Sequence, residues 1–387
     1  MNIEHANRIK KLPPYIFAEL EKIILEKKNK GIKIISLSIG DPDLPPPNFI
    51  LEALKEEISK PENHKYSFSQ GEKDFREAIA NWYKKRFKVD LNPEKEVIAL
   101  IGSKEGIANI SRAFINPGDK VLVPDPAYPV YSQGSTILCD GIPIIMPLLE
   151  ENEFKPDIWN INIDNAKMMF LNYPNNPTSA IIDKKFLKEI VEFAIEKNII
   201  LCYDNAYSEI TFDGYKAPSI LEIENAKEIA IEFHSLSKTF NMTGDRIAFA
   251  VGNEKIIEGL RKVKSQIDSG PPKYIQKVAI KALESYKDDT PPDFLKENLS
   301  IYKERRDFLI KKLNSIGFKI NPPKATFYLW LKCGCNSLSF TEKLLNLGVV
   351  VTPGIGFGKY GENYVRFSLT IPINEIEEAC ERISKIL

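Results

Sequence analysis

Short apolar runs alternate with amphipathic stretches through the middle of this chain, and the alternation predicts its architecture. Val97 to Ile101, Lys120 to Pro124, Met168 to Leu171, Ile199 to Tyr203, Ile229 to Phe233 and Ile247 to Val251 are brief and apolar, as buried strands are. Between them lie segments such as Lys184 to Lys197, whose apolar residues recur at the spacing of one helix face. Strand, helix and strand returning at intervals of about thirty residues make βαβ units, hence a mostly parallel sheet covered on both faces.

The ends pattern differently. Asp41-Pro-Asp-Leu-Pro-Pro-Pro47 and Asp288-Asp-Thr-Pro-Pro292 are stiff connectors that a helix cannot cross. Beyond the second come a long charged helical stretch, Glu297 to Ile316, shorter strand-like pieces, and a closing helix, Ile373 to Leu387. The expected fold class is α/β: a large domain over residues 45–285 with a mostly parallel sheet flanked by helices, plus a smaller α+β domain. The smaller one would combine residues 286–387 with an N-terminal arm, residues 1–44, and a small ligand belongs in the cleft between the two.

Charge and cysteine usage narrow the function. Lys plus Arg and Asp plus Glu both total 53, which excludes a globally basic nucleic-acid binder while leaving room for a local anion pocket. No apolar run approaches the roughly eighteen residues of a membrane-spanning helix. The greasiest, Ile142 to Leu149, is broken by proline. The N-terminus lacks a secretory apolar core and the five cysteines have no framework spacing, so a reduced, cytoplasmic protein is expected. With three histidines in the chain, Cys333-Gly-Cys335 reads better as thiols near a turn than as a metal clip, and no metal is expected.

The candidate chemistry lies just after the expected strands, where open α/β sheets gather their reactive groups. Gly102-Ser-Lys-Glu-Gly106 opens a helical stretch, Ile107 to Phe114, and small residues at a helix N-terminus make a phosphate seat, or merely a cap. Asn172-Tyr-Pro-Asn-Asn-Pro-Thr178 is a stiff polar loop or simply a tight turn. Asp204 ends an apolar strand, where a carboxylate needs a cation or donor unless it caps the next helix. Lys238, in Ser235-Leu-Ser-Lys238, emerges beside hydroxyls with Arg246 eight residues on; partial burial next to a cation makes an amine nucleophilic, though loop lysines are common. Arg366 sits within apolar alternation and, if inward-facing, needs a planar anion, either a substrate carboxylate or a structural partner. Taken together these groups describe one ligand with a phosphate, an aromatic ring and an aldehyde, namely pyridoxal 5′-phosphate.

The same residues carry a family resemblance. Asn172 to Thr178, Asp204-Asn-Ala-Tyr207, and Ser235-Leu-Ser-Lys238 with Gly244-Asp-Arg246 resemble the class I/II, fold-type I pyridoxal-phosphate aminotransferases over almost the whole chain. Lys11 to Glu19, Leu37 to Pro45, and Gly102 to Ile107 with Pro124 to Tyr131 look like the LL-diaminopimelate aminotransferases within that family. The resemblance implies that Lys238 holds the cofactor covalently, Asp204 pairs with its ring nitrogen, Asn176 and Tyr207 bond its ring oxygen, and Tyr128 stacks on the ring. It implies Ser103, Lys104, Ser235, Ser237 and Arg246 around the phosphate, Arg366 on the substrate α-carboxylate, and Tyr15 and Gly40 on the substrate side. Tyr66 would reach into a neighbouring subunit's site, which implies a homodimer with shared active sites.

The implied reaction moves an amino group between an L-amino acid and 2-oxoglutarate, between LL-diaminopimelate and tetrahydrodipicolinate in lysine biosynthesis. The alternatives are an aspartate, aromatic or alanine aminotransferase, or a C–S β-lyase of the same fold. Three positions depart from the family pattern: Ser179 where many relatives have glycine, a tolerable change, and Asp245 beside Arg246 and the prolines of Ser269-Gly-Pro-Pro272, which bear on the cofactor rim and the substrate pocket. Ser235-x-x-Lys238 and Tyr203-Asp-Asn205 superficially match the Ser-x-x-Lys and Tyr-x-Asn elements of serine acyl enzymes, but their order is reversed and no Lys-Thr-Gly follows. Gly354-x-Gly-x-Gly358, without a following βαβ unit, reads as a mobile loop near the site rather than a dinucleotide motif.

Overall fold

A computed structural model describes residues 3–14, 16–29, 31–161 and 165–385. Its strands, in chain order, are β1 (Ile35–Ser36), β2 (Val97–Leu100), β3 (Lys120–Asp125), β4 (Ile142–Pro147), β5 (Ala166–Asn172) and β6 (Ile200–Asp204). They continue with β7 (Ala230–Ser235), β8 (Ala248–Gly252), β9 (Tyr328–Lys332), β10 (Val349–Val350), β11 (Thr352–Pro353) and β12 (Tyr364–Ser368). Seven form one sheet in the order β2-β8-β7-β6-β5-β3-β4. It is parallel except for β8, which runs antiparallel to both of its neighbours.

The apolar runs dictate this sheet. Every residue of β2, β7 and β8 is buried, as strands covered on both faces must be. The strand β4 was not foreseen, because Pro143 and Pro147 argue against a strand. It lies at the sheet edge, bonded to β3 alone, where a missing N–H on the outer side costs nothing. The expected helix over 184–197 spans Lys184–Glu196, with Asp183 accepting from the Phe186 N–H as its cap. The long C-terminal helix starts earlier than its charge pattern suggests, at Asp293, directly after Pro292.

The C-terminal part builds an antiparallel sheet, β11-β12-β9. The N-terminal arm joins it: β1 pairs in parallel with β10, and the Ser368 N–H donates to the Leu37 carbonyl. The arm then passes the large sheet at Gly40 and Asp41. Asn172, Asp204 and Ser235 are the last residues of the adjacent strands β5, β6 and β7. Polar groups therefore line up along the carboxyl end of the sheet, facing Gly40 and the β12 side chain of Arg366.

Candidate active site

A cavity of about 330 Å³ opens at the carboxyl end of the sheet. One end is an anion seat. Gly102 precedes the helix Ser103–Phe114, whose first turn directs backbone N–H groups and the positive end of the helix dipole toward this end of the cavity. Only glycine suits the preceding position: its φ is +108°, and a Cβ there would lie 2.1 Å from Arg246 Nη2. Lys104, Ser235, Ser237 and Arg246 line the same end. The Ser235 hydroxyl accepts from the Ser237 N–H at 3.2 Å, and Arg246 Nη1 donates to the Thr243 carbonyl at 2.8 Å, which fixes both side chains. Lys104 Nζ stands 5.6 Å from the Tyr128 ring centroid, placing that ring beside the seat.

Asp204 forms the floor. Its carboxylate accepts from the Tyr131 hydroxyl at 2.7 Å and from the Ala206 N–H at 3.3 Å. Burial pushes its pKa up to about 6 against the lowering effect of those two donors and His234. A second polar layer supports the floor. The buried carboxylate of Glu232 accepts from Asn205 Nδ2, the Ser219 hydroxyl and the Ile220 N–H, and it pairs with His234 at 2.8 Å. Asn172 Nδ2 donates to the Asp204 carbonyl at 2.8 Å, tying β5 to β6 directly below the cavity.

Lys238 and Arg366 close the other side. Lys238 Nζ donates to the Gly40 carbonyl at 2.7 Å. Burial, helped by the positive charges of Arg366 and Arg246 and opposed by Asp41, lowers its pKa to about 8. Arg366, 2% exposed, has its guanidinium between the Tyr328 ring at 4.2 Å and the Phe357 ring at 4.8 Å. Its Nη1 donates to Asn176 Oδ1 and its Nη2 to the Ser38 carbonyl, each at 2.7 Å. The Tyr207 and Tyr328 hydroxyls hydrogen-bond at 2.9 Å, and burial raises the pKa of both.

The cavity thus gathers every site residue expected from sequence except Tyr66 and Tyr15. Tyr15 lies outside the described residues. Tyr66 is away from its own chain's cavity and 89% exposed. Asn172, which opens the expected polar loop, also lines the cavity, as do Tyr131, Asp41 and Tyr328, to which the sequence assigns no role. The Gly354–Gly358 loop is pinned rather than loose: the Ile355 N–H donates to the Ser337 hydroxyl and the Phe357 carbonyl accepts from the Ala127 N–H. Ser179 holds a left-handed φ of +60°, and its buried hydroxyl meets Thr326 Oγ1 and the Tyr328 carbonyl. Asp245 does not line the cavity, and partial burial raises its pKa. Pro272 immediately precedes the helix Lys273–Glu284, the Pro271 carbonyl accepts from Gln276 Nε2, and both prolines stand beside Tyr66 rather than in this chain's own cavity.

Residues 32–383 match the family described as aminotransferase class I and II. The chain is 49% identical to an LL-diaminopimelate aminotransferase of Desulforudis audaxviator, across 99% of this chain and 98% of that one. It is equally identical to one of Moorella thermoacetica, across 100% and 99%. Among solved structures, substrate-bound BacF of Bacillus subtilis superimposes with a TM-score of 0.93 at 40% identity, covering 100% of this chain and 98% of that one.

Proposed function

The chain belongs to the class I and II aminotransferases, which use pyridoxal phosphate, and on that premise we propose that it transfers amino groups between LL-diaminopimelate and 2-oxoglutarate. The observation that carries the chemistry is the placement of Lys238, Asp204 and Arg366 around one cavity with an anion seat at its end. The substrate class rests on the near-full-length identity to diaminopimelate enzymes.

The residues fit the cofactor on physical grounds. The Gly102 cradle, which a Cβ would fill, suits a phosphate, and Asp204 lies buried where a ring nitrogen needs an acid partner. When bound, pyridoxal phosphate supplies an aldehyde that captures the substrate amine and a ring that accepts the electron pair left at the α-carbon. Ser103, Lys104, Ser235, Ser237 and Arg246 would hold its phosphate, and Asp204 would keep a proton on its ring nitrogen. Tyr128 would cover the ring, and Asn176 and Tyr207 would bond the ring oxygen. Arg366 takes the substrate α-carboxylate in bidentate fashion, and Gly40 lets the arm approach closely. Lys238, with its amine poised near pH 8, removes the α-proton and returns it. Holding the substrate at both ends sets the α-proton against the amine, and such orientation supplies several kcal/mol of the barrier reduction.

The expected outcome of a donor panel with 2-oxoglutarate, read as glutamate formed, is that LL-diaminopimelate shows the highest kcat/KM. Preference for aspartate, an aromatic amino acid or alanine would move the chain to a sibling specificity. Pyruvate and ammonia from cystathionine, formed without a keto-acid acceptor, would indicate a lyase.

The reading includes a homodimer. Tyr66 and Phe68 are 89% and 65% exposed on one segment, a costly display of aromatic surface for a lone chain. In a dimer Tyr66 would reach the phosphate end of the neighbouring cavity. Light scattering is expected to give twice the 44.0 kDa chain mass, and mixing inactive Lys238→Ala chains with impaired Tyr66→Ala chains should give more activity than the two measured separately. We assign the work to the cytoplasm, in keeping with free thiols at Cys139, Cys202, Cys333, Cys335 and Cys380, and treat residues 1–44 with 286–387 as the smaller domain.

A further inference from the structure

Arg366 owes one wall of its aromatic sandwich to Phe357, and Phe357 belongs to the short helical turn Gly354–Phe357, ahead of Gly358. What fixes that segment comes from the other sheet. Asp125, the last residue of β3 and only 7% exposed, accepts from the Lys359 N–H with one carboxylate oxygen and from the Tyr360 N–H with the other, each at 3.0 Å. The Ala127 N–H adds a bond to the Phe357 carbonyl at 2.8 Å. The fit is tight: at Gly358, whose φ is +133°, a Cβ would fall 2.1 Å from Asp125 Oδ1. The segment also closes on itself, because a Cβ on Gly354 would lie 2.0 Å from the Gly361 carbonyl oxygen.

From this geometry we propose that Asp125 is a positioning residue for substrate binding, clamping the 354–361 segment so that Phe357 holds the Arg366 guanidinium in register with the substrate α-carboxylate. The proposal rests on the role assigned above to Arg366. Its physical basis is that a carboxylate can accept both N–H groups, one on each oxygen, whereas a protonated carboxyl or an amide must turn a donor toward one of them. The clamp thereby joins the sheet that carries the cofactor residues to the strand that carries the carboxylate-binding arginine. Asp125 has reason to titrate in the working range. Burial pushes its pKa up to about 6, against the two backbone N–H groups and the Lys359 charge. Around the small cavity beside it, Pro124, Ala127, Ile145 and Ile355 offer no further charge, and Tyr128 is the other titratable neighbour. Since the ionised form makes the clamp, it loosens as pH falls through about 6.

The test is steady-state kinetics of the holoenzyme with an amino donor and with 2-oxoglutarate. Asp125→Asn should raise KM for both substrates about tenfold, with kcat within about threefold and the visible cofactor spectrum unchanged. Wild-type KM should rise below pH 6 and that rise should vanish in Asp125→Asn. Gly358→Ala, which crowds the clamp while leaving the carboxylate, should raise KM likewise and decides the matter if Asp125→Asn does not fold. An unchanged KM in these variants, or a fall in kcat at constant KM, would overturn the clamp. Arg366→Leu separates the two levels. If it raises KM and the clamp variants do not, only the clamp fails; if it leaves KM unchanged, the arginine's role and the clamp fail together.

Discussion

Lys238→Ala is expected to lower steady turnover by at least about 10⁴-fold, because the substitution removes both the covalent attachment point and the proton carrier. The anion seat at Gly102, Ser103 and Arg246 does not involve the lysine side chain, so the variant should still bind pyridoxal phosphate, now non-covalently. Borohydride reduction followed by peptide mapping should place the cofactor mass on Lys238 in the wild type and nowhere in the variant. A small primary amine added to the buffer should restore part of the rate, as a diffusible base does in a site whose geometry is intact. Near-normal turnover of Lys238→Ala would remove the lysine from the chemistry altogether. Its environment argues otherwise, since burial and two arginines bring the amine to about pH 8, where the neutral form is well populated under working conditions.

The site was legible in the sequence where a chemistry-bearing residue directly follows an apolar run. Asn172 and Asp204 end their strands one residue beyond the predicted ends, and Ser235 two residues beyond. The supporting side chains were not legible, because their partners are distant in sequence. Tyr131 donates to a carboxylate 73 residues away, and Tyr328 meets Tyr207 across 121. Asp125 bonds backbone N–H groups 234 and 235 positions later, in a segment whose glycines suggested mobility. Apolar composition predicted β8 without its direction, since a strand buried on both faces looks the same run either way. Ser179 shows the converse. A residue that looked like a departure in sequence finds two hydrogen-bond partners that compensate its left-handed backbone.

Asp204→Asn is expected to lower kcat by about 10³-fold while leaving KM and cofactor affinity much less affected. An asparagine keeps the shape and still accepts from Tyr131, but it carries no charge to hold a proton on the cofactor's ring nitrogen. The pH profile separates this role from that of Asp125. In the wild type kcat should fall on the acid side as Asp204 takes up a proton. The pKa is about 6 in the protein alone, and lower once a cationic nitrogen faces the carboxylate. Tyr131→Phe removes the donor at 2.7 Å that favours the charged form, so the acid limb of kcat should move to higher pH. Asp125 variants should move KM instead. Stability should respond in the opposite sense to activity. A carboxyl whose folded pKa lies above its unfolded value of 3.8 destabilises the fold once pH exceeds 3.8, with the full penalty present above about 6. Cofactor-free Asp204→Asn should therefore melt higher than cofactor-free wild type at pH 8, by a stabilisation on the order of 2 kcal/mol, and show no gain at pH 3. A variant that gained no stability at pH 8 would mean that the carboxylate is already matched by its surroundings without the cofactor. Lost kcat together with raised stability would show a charge kept buried for the ring it serves rather than for the fold.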